Sequence, residues 1–343
     1  MARKRTIPAS RNRKMSDRSS DGLAAHVSRV VAQSTSLRVP ELRIKATSYP
    51  TIAVAAGKGG TGKTLIATSL TLALNDRYPG KVQLLDCDVE EPNAHLLLRP
   101  MLDRTDTVSI LVPHVDKKKC LRCGICAQVC QSSAIAVIRD AILTFPELCS
   151  GCGACAYACP RTAIDEEARE VGVVSSGRTD EGIALHMGKV NVGVQRSGSV
   201  IKAAKEHIDP EMISIVDAPP GTACPMQETI EASDYCILVT EPTPFGLSDL
   251  TVAVDTCKAL TVPCGVIVNR DGPTDPGIEG YCHEQDIPLL LRIAQSREIA
   301  EAYSRGVTLT AAFPEWRKVL LSTYDEITRM IDARFGGEQH ARV

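Results

Sequence analysis

Aromatic side chains are scarce in this chain of 343 residues: they make up 3%, with a single tryptophan. Without aromatics to stack successive bases, a groove for single-stranded nucleic acid is not expected. Also lacking is any apolar run near the ~20 residues needed to cross a bilayer. The basic N-terminal residues are not followed by an apolar stretch of about 7–15 residues, so no secretory signal is expected. Net charge is only −2, but residues 1–48 hold eleven Lys or Arg against three Asp or Glu, which leaves an acidic body behind a basic leader. With almost no apolar content in residues 1–20, the leader reads as a disordered tail. The short stretch Leu23–Val31 is its one helical candidate.

What the chain has in excess is cysteine, fourteen in all, eight of them between 120 and 159. In a long chain with no secretory signal, this usage points to metal or redox chemistry in a reducing compartment, and a cytoplasmic location is expected. The 44% hydrophobic content suffices for one sizeable core and one small appended domain.

Short apolar runs at Thr51–Ala56, Val82–Leu85, Ile213–Val216, Cys236–Val239 and Val266–Val268 each end in polar, Gly or Pro residues, with helical spacing between them. This rhythm predicts an α/β fold with a mostly parallel sheet, covered by helices on both faces. Ligands of such sheets bind beyond the carboxyl ends of the strands. The rhythm is interrupted over residues 113–166 by a Cys-rich pseudo-repeat, whose halves close alike (Ser133-Ala134-Ile135, Thr162-Ala163-Ile164). The expected organisation is a leader (1–48), a discontinuous nucleotide domain (49–112 and 167–336), an inserted domain (113–166) and a tail (337–343). Trp316–Ile331 spaces its apolar residues as one face of a packing helix.

Gly57-Lys58-Gly59-Gly60-Thr61-Gly62-Lys63-Thr64 matches the phosphate-loop pattern, with a strand before it and a helix after. Backbone N–H groups wrap the phosphates and the helix N-terminus adds favourable partial charge. Lys63 is expected to reach the β- and γ-phosphates of ATP, and the Thr64 hydroxyl to ligate Mg²⁺.

Two runs, Cys120-x₂-Cys123-x₂-Cys126-x₃-Cys130 and Cys149-x₂-Cys152-x₂-Cys155-x₃-Cys159-Pro160, have the spacing of bacterial ferredoxins. Three thiolates of each cubane come from one run and the fourth from the other. The expected sets for two [4Fe–4S] clusters are therefore Cys120, Cys123, Cys126 and Cys159, and Cys130, Cys149, Cys152 and Cys155. Gln131 stands where proline usually follows. Zinc is the alternative for paired C-x₂-C, but the triple spacing repeated twice is more specific to iron–sulfur. The seven histidines are scattered in sequence and suggest no ligand pair. Cys87, Cys236, Cys257, Cys264 and Cys282 read as buried thiols.

The run K-G-G-T-G-K-T resembles the deviant Walker A of the MinD/ParA/nitrogenase-iron-protein superfamily, and the whole is similar to members of it that contain an inserted 2[4Fe–4S] ferredoxin domain. The resemblance implies a homodimer, with Lys58 contacting nucleotide in the partner subunit. It implies that Asp88, in Asp86-Cys87-Asp88, positions the attacking water while Asp86 supports the site. Asp217 and Gly221, in Asp217-Ala218-Pro219-Pro220-Gly221, correspond to the Walker B residue and second switch, with Asp217 holding Mg²⁺ through water. Asn269 corresponds to the adenine-recognising Asn. Lys58, Lys63 and Asp88 are thus the expected catalytic residues. The leading expectation is an ATPase that couples nucleotide state to electron transfer with an unknown redox partner. An iron–sulfur assembly or carrier protein of the Mrp type is the runner-up, against which the lack of C-x-x-C outside the insert counts. A spatial organiser of the MinD or ParA type is third. Cys224 lies at the offset of a cluster ligand in the nitrogenase iron protein, but it lacks a second cysteine between 171 and 216.

Overall fold

The structure, a computed structural model, describes residues 49–139, 141–194, 197–273 and 275–335. The leader, its helical candidate Leu23–Val31 and the tail lie outside the described residues.

Eleven strands are described: β1 (Thr51–Ala55), β2 (Val82–Asp86), β3 (Met101–Val115), β4 (Ile135–Ile138), β5 (Ala141–Thr144), β6 (Ile164–Arg178), β7 (Ala184–Val190), β8 (Ile213–Asp217), β9 (Tyr235–Thr240), β10 (Cys264–Asp271) and β11 (Leu289–Ala294). Nine of them form one sheet in the order β11-β10-β9-β1-β8-β2-β7-β6-β3. The pairings from β11 through β7 are parallel, as expected from the apolar runs. The β7–β6 and β6–β3 pairings are antiparallel.

The central strands read as unbroken apolar runs because both faces are covered. Ile52 and Val54 face one core layer, and Ala53 and Ala55 the other. The helix Lys63–Arg77 is buried along most of its length. The C-terminal helix Trp316–Phe335 lies over it, and Leu320, Tyr324, Ile327 and Ile331 of that helix enter the first layer. The spacing read from Trp316 to Ile331 is thus a packing face.

The antiparallel edge differs from the expected boundaries. β3 and β6 pair from Met101↔Arg178 to Val115↔Ile164, so the ladder crosses both 113 and 166. The lobe beyond it is joined to the sheet by two paired strands, a stiffer connection than two single-chain linkers. In that lobe, the helices Ile125–Val129 and Ala154–Tyr157 each start after a left-handed glycine, Gly124 at φ 83° and Gly153 at φ 71°. A hairpin of β4 and β5 lies between them.

Candidate nucleotide site and cysteine cups

The carboxyl ends of β1, β2, β8, β9 and β10 meet at one rim of the sheet, and β1, β2, β8 and β10 each deliver a residue singled out above. β1 runs into the phosphate loop. Gly57 is required by close approach: a Cβ there would stand 2.5 Å from Asp249 Cβ and 2.6 Å from its backbone oxygen. Gly62 is left-handed at φ 97°, and a Cβ on it would fall 2.4 Å from Asn269 Nδ2. That amide donates to the Thr61 carbonyl at 2.8 Å, so Asn269 clamps the loop from β10.

Lys63 and Thr64 begin the following helix and are buried. The Thr64 hydroxyl donates to Asp217 Oδ2 at 2.6 Å. The other carboxylate oxygen, Asp217 Oδ1, is buried and without a hydrogen-bond partner among the described residues. A hydroxyl beside an unsatisfied buried carboxylate oxygen is the donor set of a hard cation, and the residues present fit Mg²⁺. Burial raises the Asp217 carboxyl above the ordinary carboxylate range, while the Thr64 hydrogen bond and the charge of Lys63 oppose the shift.

Asp86, the neighbour of Asp217 in the β2–β8 register, is fully buried. Its carboxylate accepts backbone N–H bonds from Asp88 (3.1 Å), Asn93 (3.0 Å) and Ala94 (2.9 Å), which pin the loop after β2. Burial first, then Asp217, holds its pKa well above the usual value. Burial pushes Asp88 up to about 6 against the charge of Lys63. Three carboxylates with raised affinity for protons thus share the rim with Lys63. In the second-switch segment, the Gly221 N–H donates to the Ala56 carbonyl at 3.2 Å. Gly59 faces Pro220, with a Cβ position 3.7 Å from Pro220 Cβ.

Lys58 takes a position that the motif does not specify. Its Nζ lies 3.0 Å from Glu241 Oε2, at the end of β9, and Glu241 also binds Arg270 of β10. Glu241 and Arg270 were not candidates for this network, because only the order β10-β9-β1 makes them neighbours of the loop.

In the lobe, two concavities are each lined by four cysteines. One holds Cys120, Cys123, Cys126 and Cys159, and the other Cys130, Cys149, Cys152 and Cys155. Each cup takes three thiols from one run and the fourth from the other. Burial pushes the Cys126 thiol up, with Cys123 and Cys120 adding to the shift. Cys155 behaves alike, with Cys149 and Cys130 as neighbours.

Backbone N–H groups donate to sulfur at equivalent positions of the two halves. These are Arg122 to Cys120 Sγ (3.4 Å) and Gly151 to Cys149 Sγ (3.4 Å), then Ala134 to Cys130 Sγ (3.2 Å) and Ala163 to Cys159 Sγ (3.3 Å). Left-handed backbone recurs in step: Arg122 with Gly151, Gly124 with Gly153, Ser133 with Thr162. Among the described residues, no group of three or more His, Cys, Asp or Glu is disposed to hold a metal ion. Four thiols ring each cup and backbone N–H groups are aimed at four of the sulfurs; this donor set fits a polynuclear sulfide cluster rather than a single ion.

Two features lay beyond the sequence reading. Ser150, next to Cys149, also walls a cleft of about 430 Å³, whose other side is formed by Ser197, Lys202, Cys224 and Glu228. Cys224 is exposed and opens the helix Cys224–Ile230, which follows the second-switch segment. His186 and His207, far apart in sequence, stack with ring centroids 5.0 Å apart, and the Ser176 hydroxyl lies 2.9 Å from His186 Nδ1. Burial and then His207 push His186 down to about 4.

The family of CobQ/CobB/MinD/ParA nucleotide-binding domains matches residues 52–309. An uncharacterized protein of Methanocaldococcus jannaschii is 31% identical over 74% of this chain and 89% of its own length. An Arabidopsis thaliana protein described as an iron–sulfur protein required for NADH dehydrogenase is 40% identical over 22% of this chain and 24% of its own. The septum site-determining protein MinD of Pyrococcus horikoshii, solved with Mg-ADP, superposes with a TM-score of 0.50 at 20% identity, over 84% of this chain and 99% of that one. This last is a likeness of fold. No described helix is long and apolar enough to cross a membrane.

Proposed function

This chain belongs to the CobQ/CobB/MinD/ParA nucleotide-binding family, and on that premise we propose that it is an ATPase that couples its nucleotide state to two [4Fe–4S] centres. The observation that carries the reading is the crosswise filling of the two cups, each by three thiols of one run and one of the other. The clusters supply one-electron transfer when bound. Cys120, Cys123, Cys126 and Cys159 hold the first, and Cys130, Cys149, Cys152 and Cys155 the second. Mg-ATP sits on the phosphate loop with Lys63 on its phosphates and Thr64 and Asp217 toward the cation. Asp88, on the loop pinned by Asp86, orients water.

Coupling has a physical route. The segment from Asp217 to Gly221 leads into the helix Cys224–Ile230, which walls the cleft shared with the Ser150 loop of the second cup. That helix is tied to the helix Gly198–Lys205 by Lys202–Glu228 (3.1 Å) and by Lys205 Nζ, which donates to the carbonyls of Glu228, Thr229 and Glu231. In this reading, movement of the second switch passes through these ties to the helix Gly198–Lys205, which packs on β6 and β3, the strands that carry the lobe. Anaerobically prepared protein is expected to carry about eight irons per chain and to hydrolyse ATP at different rates with the centres oxidised and reduced. Equal rates, with cluster potentials indifferent to nucleotide, would remove the coupling. Transfer of labile iron and sulfide to an apo-acceptor would favour the carrier reading instead.

The nucleotide-bound protein is a homodimer in this reading, with Lys58 reaching the partner's phosphates. In one chain Lys58 is held by Glu241. Glu241→Gln releases it and is expected to tighten ATP-dependent dimerisation about twofold to fivefold, the range expected of an ion pair with one partly exposed member. Lys58→Ala is expected to abolish that dimerisation. Light scattering with and without Mg-ATP measures both, and a Lys58→Ala protein that still dimerises on ATP would refute the assignment.

A further inference from the structure

The turn before each cysteine run is built alike in the two halves of the lobe and put to different use. Positions 29 residues apart correspond, as Cys120 does to Cys149. The Asp116 N–H donates to the Ala163 carbonyl at 2.8 Å, and its counterpart, the Phe145 N–H, donates to the Ala134 carbonyl at 2.8 Å. Each bond seats the following turn beside the closing tail of the other half. In the second half that turn meets the protein's own body. Glu147, Leu148 and Ser150 wall the cleft across from Lys202 and Cys224, and Glu147 lies 3.7 Å from Arg169. A Cβ on Gly151 would stand 3.1 Å from Ile110 Cβ of β3. The counterparts of Glu147, Leu148 and Ser150 are Lys118, Lys119 and Leu121, and all three are exposed, Leu121 to 64%. Lys117 extends the basic run, and exposed Pro160 and Arg161 line the same cup from the other side. Among the described residues, the side chains of Lys117, Lys118 and Arg161 make no hydrogen bond or ion pair, and Lys119 has Asp116 at 3.6 Å. The acids of this rim are Asp116 and Asp165, set against Lys117, Lys118, Lys119 and Arg161.

Resting on the reading that both cups hold clusters, we propose that the rim of the first cup is the docking face for an acidic redox protein, which exchanges one electron there. The second half is the precedent within the chain. Its equivalent turn, with Glu147 in the place of Lys118, packs against a wall that carries Lys202 and has Arg169 beside it. A base in the place of that acid calls for a partner of the opposite charge. Leu121 and Pro160 supply the apolar centre that such a contact needs inside a charged rim. Cys123, an exposed thiol at the mouth, puts the edge of the centre against whatever docks there. The lysines speed encounter by steering an acidic surface toward the mouth. The step moves one electron and no proton: the first centre loses what the partner's centre gains, or the reverse.

The test starts from anaerobic holoprotein on which iron and sulfide have been assayed. It is reduced, then mixed in stopped flow with a substoichiometric amount of hexacyanoferrate(III), an anion, or of hexaammineruthenium(III), a cation. Oxidation by the anion is expected to slow about tenfold as ionic strength rises from about 0.01 to about 0.15 M, and oxidation by the cation is not slowed. Lys117→Glu with Lys118→Glu should slow oxidation by the anion about tenfold at the lower ionic strength and speed oxidation by the cation. Lys318→Glu with Arg329→Glu makes the same change of net charge at exposed positions of the C-terminal helix and should leave both rates in place. Carbodiimide cross-linking to an acidic plant-type [2Fe–2S] ferredoxin should join it through Lys117 or Lys118. An anion rate indifferent to salt, equal slowing by the two double variants, or cross-links through other lysines alone would overturn the proposal while leaving the cluster reading intact. Duplex DNA held by the native chain and lost on the Lys117 and Lys118 reversal, with the oxidation rates unmoved, would assign the basic run to nucleic acid instead. A sample without iron and matching sulfide would overturn both readings.

Discussion

Lys63→Ala is expected to reduce Mg-nucleotide affinity by more than a hundredfold and to destabilise the empty protein as well. Lys63 is buried, and its charge acts on both Asp88 and Asp217, opposing in each the upward shift that burial imposes. Asp86 adds a third carboxyl beside Asp217. Removing Lys63 leaves buried carboxylates uncompensated, a loss of about 3–5 kcal/mol, and takes away the group that meets the phosphates. The sign with pH follows from the raised pKa values. Below the ordinary carboxylate value near 4, these groups are protonated whether the chain is folded or not, and nothing is lost. As pH rises through the folded pKa values, of which Asp88 stands at about 6, the folded state must ionise them at a cost that the unfolded chain does not bear. The stability deficit of Lys63→Ala relative to the native protein should therefore open as pH rises past about 6, where Asp88 of the native chain ionises beside Lys63, and Lys63→Ala with Asp217→Asn should recover part of it. Titration with a fluorescent nucleotide and thermal melts at several pH values read both effects. A variant that binds nucleotide within tenfold of the native protein would refute this account of Lys63.

The second large effect concerns the crossed ligand sets. Cys159→Ser is expected to remove the [4Fe–4S] signal of the first centre and keep that of the second, so that about half of the reduced EPR intensity disappears. Cys123→Ser should do the same, because both thiols line one cup. Combining the two should cost nothing further, whereas Cys159→Ser with Cys152→Ser should abolish all signal. Were the runs to ligate locally instead, Cys159 and Cys152 would belong to one centre and the pattern would invert. The double variants thus separate the two arrangements without any need to assign an individual signal. The reason to expect crossing is geometric. The helices after Gly124 and Gly153 carry Cys130 and Cys159 away from their own loops, and the N–H bonds from Ala134 and Ala163 then hold these sulfurs toward the opposite ones.

The phosphate loop, the Asp residues that end β2 and β8, and the two cysteine runs were legible because each is a local code. A strand buried on both faces must be apolar throughout, so the residue that ends it stands out. The halves of the ribbon were not legible over their outer lengths. Met101–Ile110 is largely exposed, with no apolar run to announce a strand, and its partner β6 carries Asp, Glu and Arg residues at its start. Edge pairing with one solvated face leaves a weaker pattern than a covered parallel strand does. The His186–His207 stack and the Lys58–Glu241–Arg270 network join residues from separate strands and loops, which no spacing reveals.

What the amino-acid sequence determined alone is the backbone chemistry within a few residues: a glycine-rich loop of the phosphate-binding pattern, two tightly spaced cysteine runs, and strands to be buried between helices. Spacing decides such features because they depend on φ, ψ and the side chain one or two turns away. What only the tertiary structure decided is neighbourhood. The order β10-β9-β1-β8-β2 brings Asn269, Glu241, Lys63, Asp217 and Asp86 to one rim. The β3–β6 ladder sets the lobe so that the Ser150 loop faces the helix Cys224–Ile230. Those juxtapositions come from how two core layers close over a single sheet, a collective packing solution that no short segment encodes.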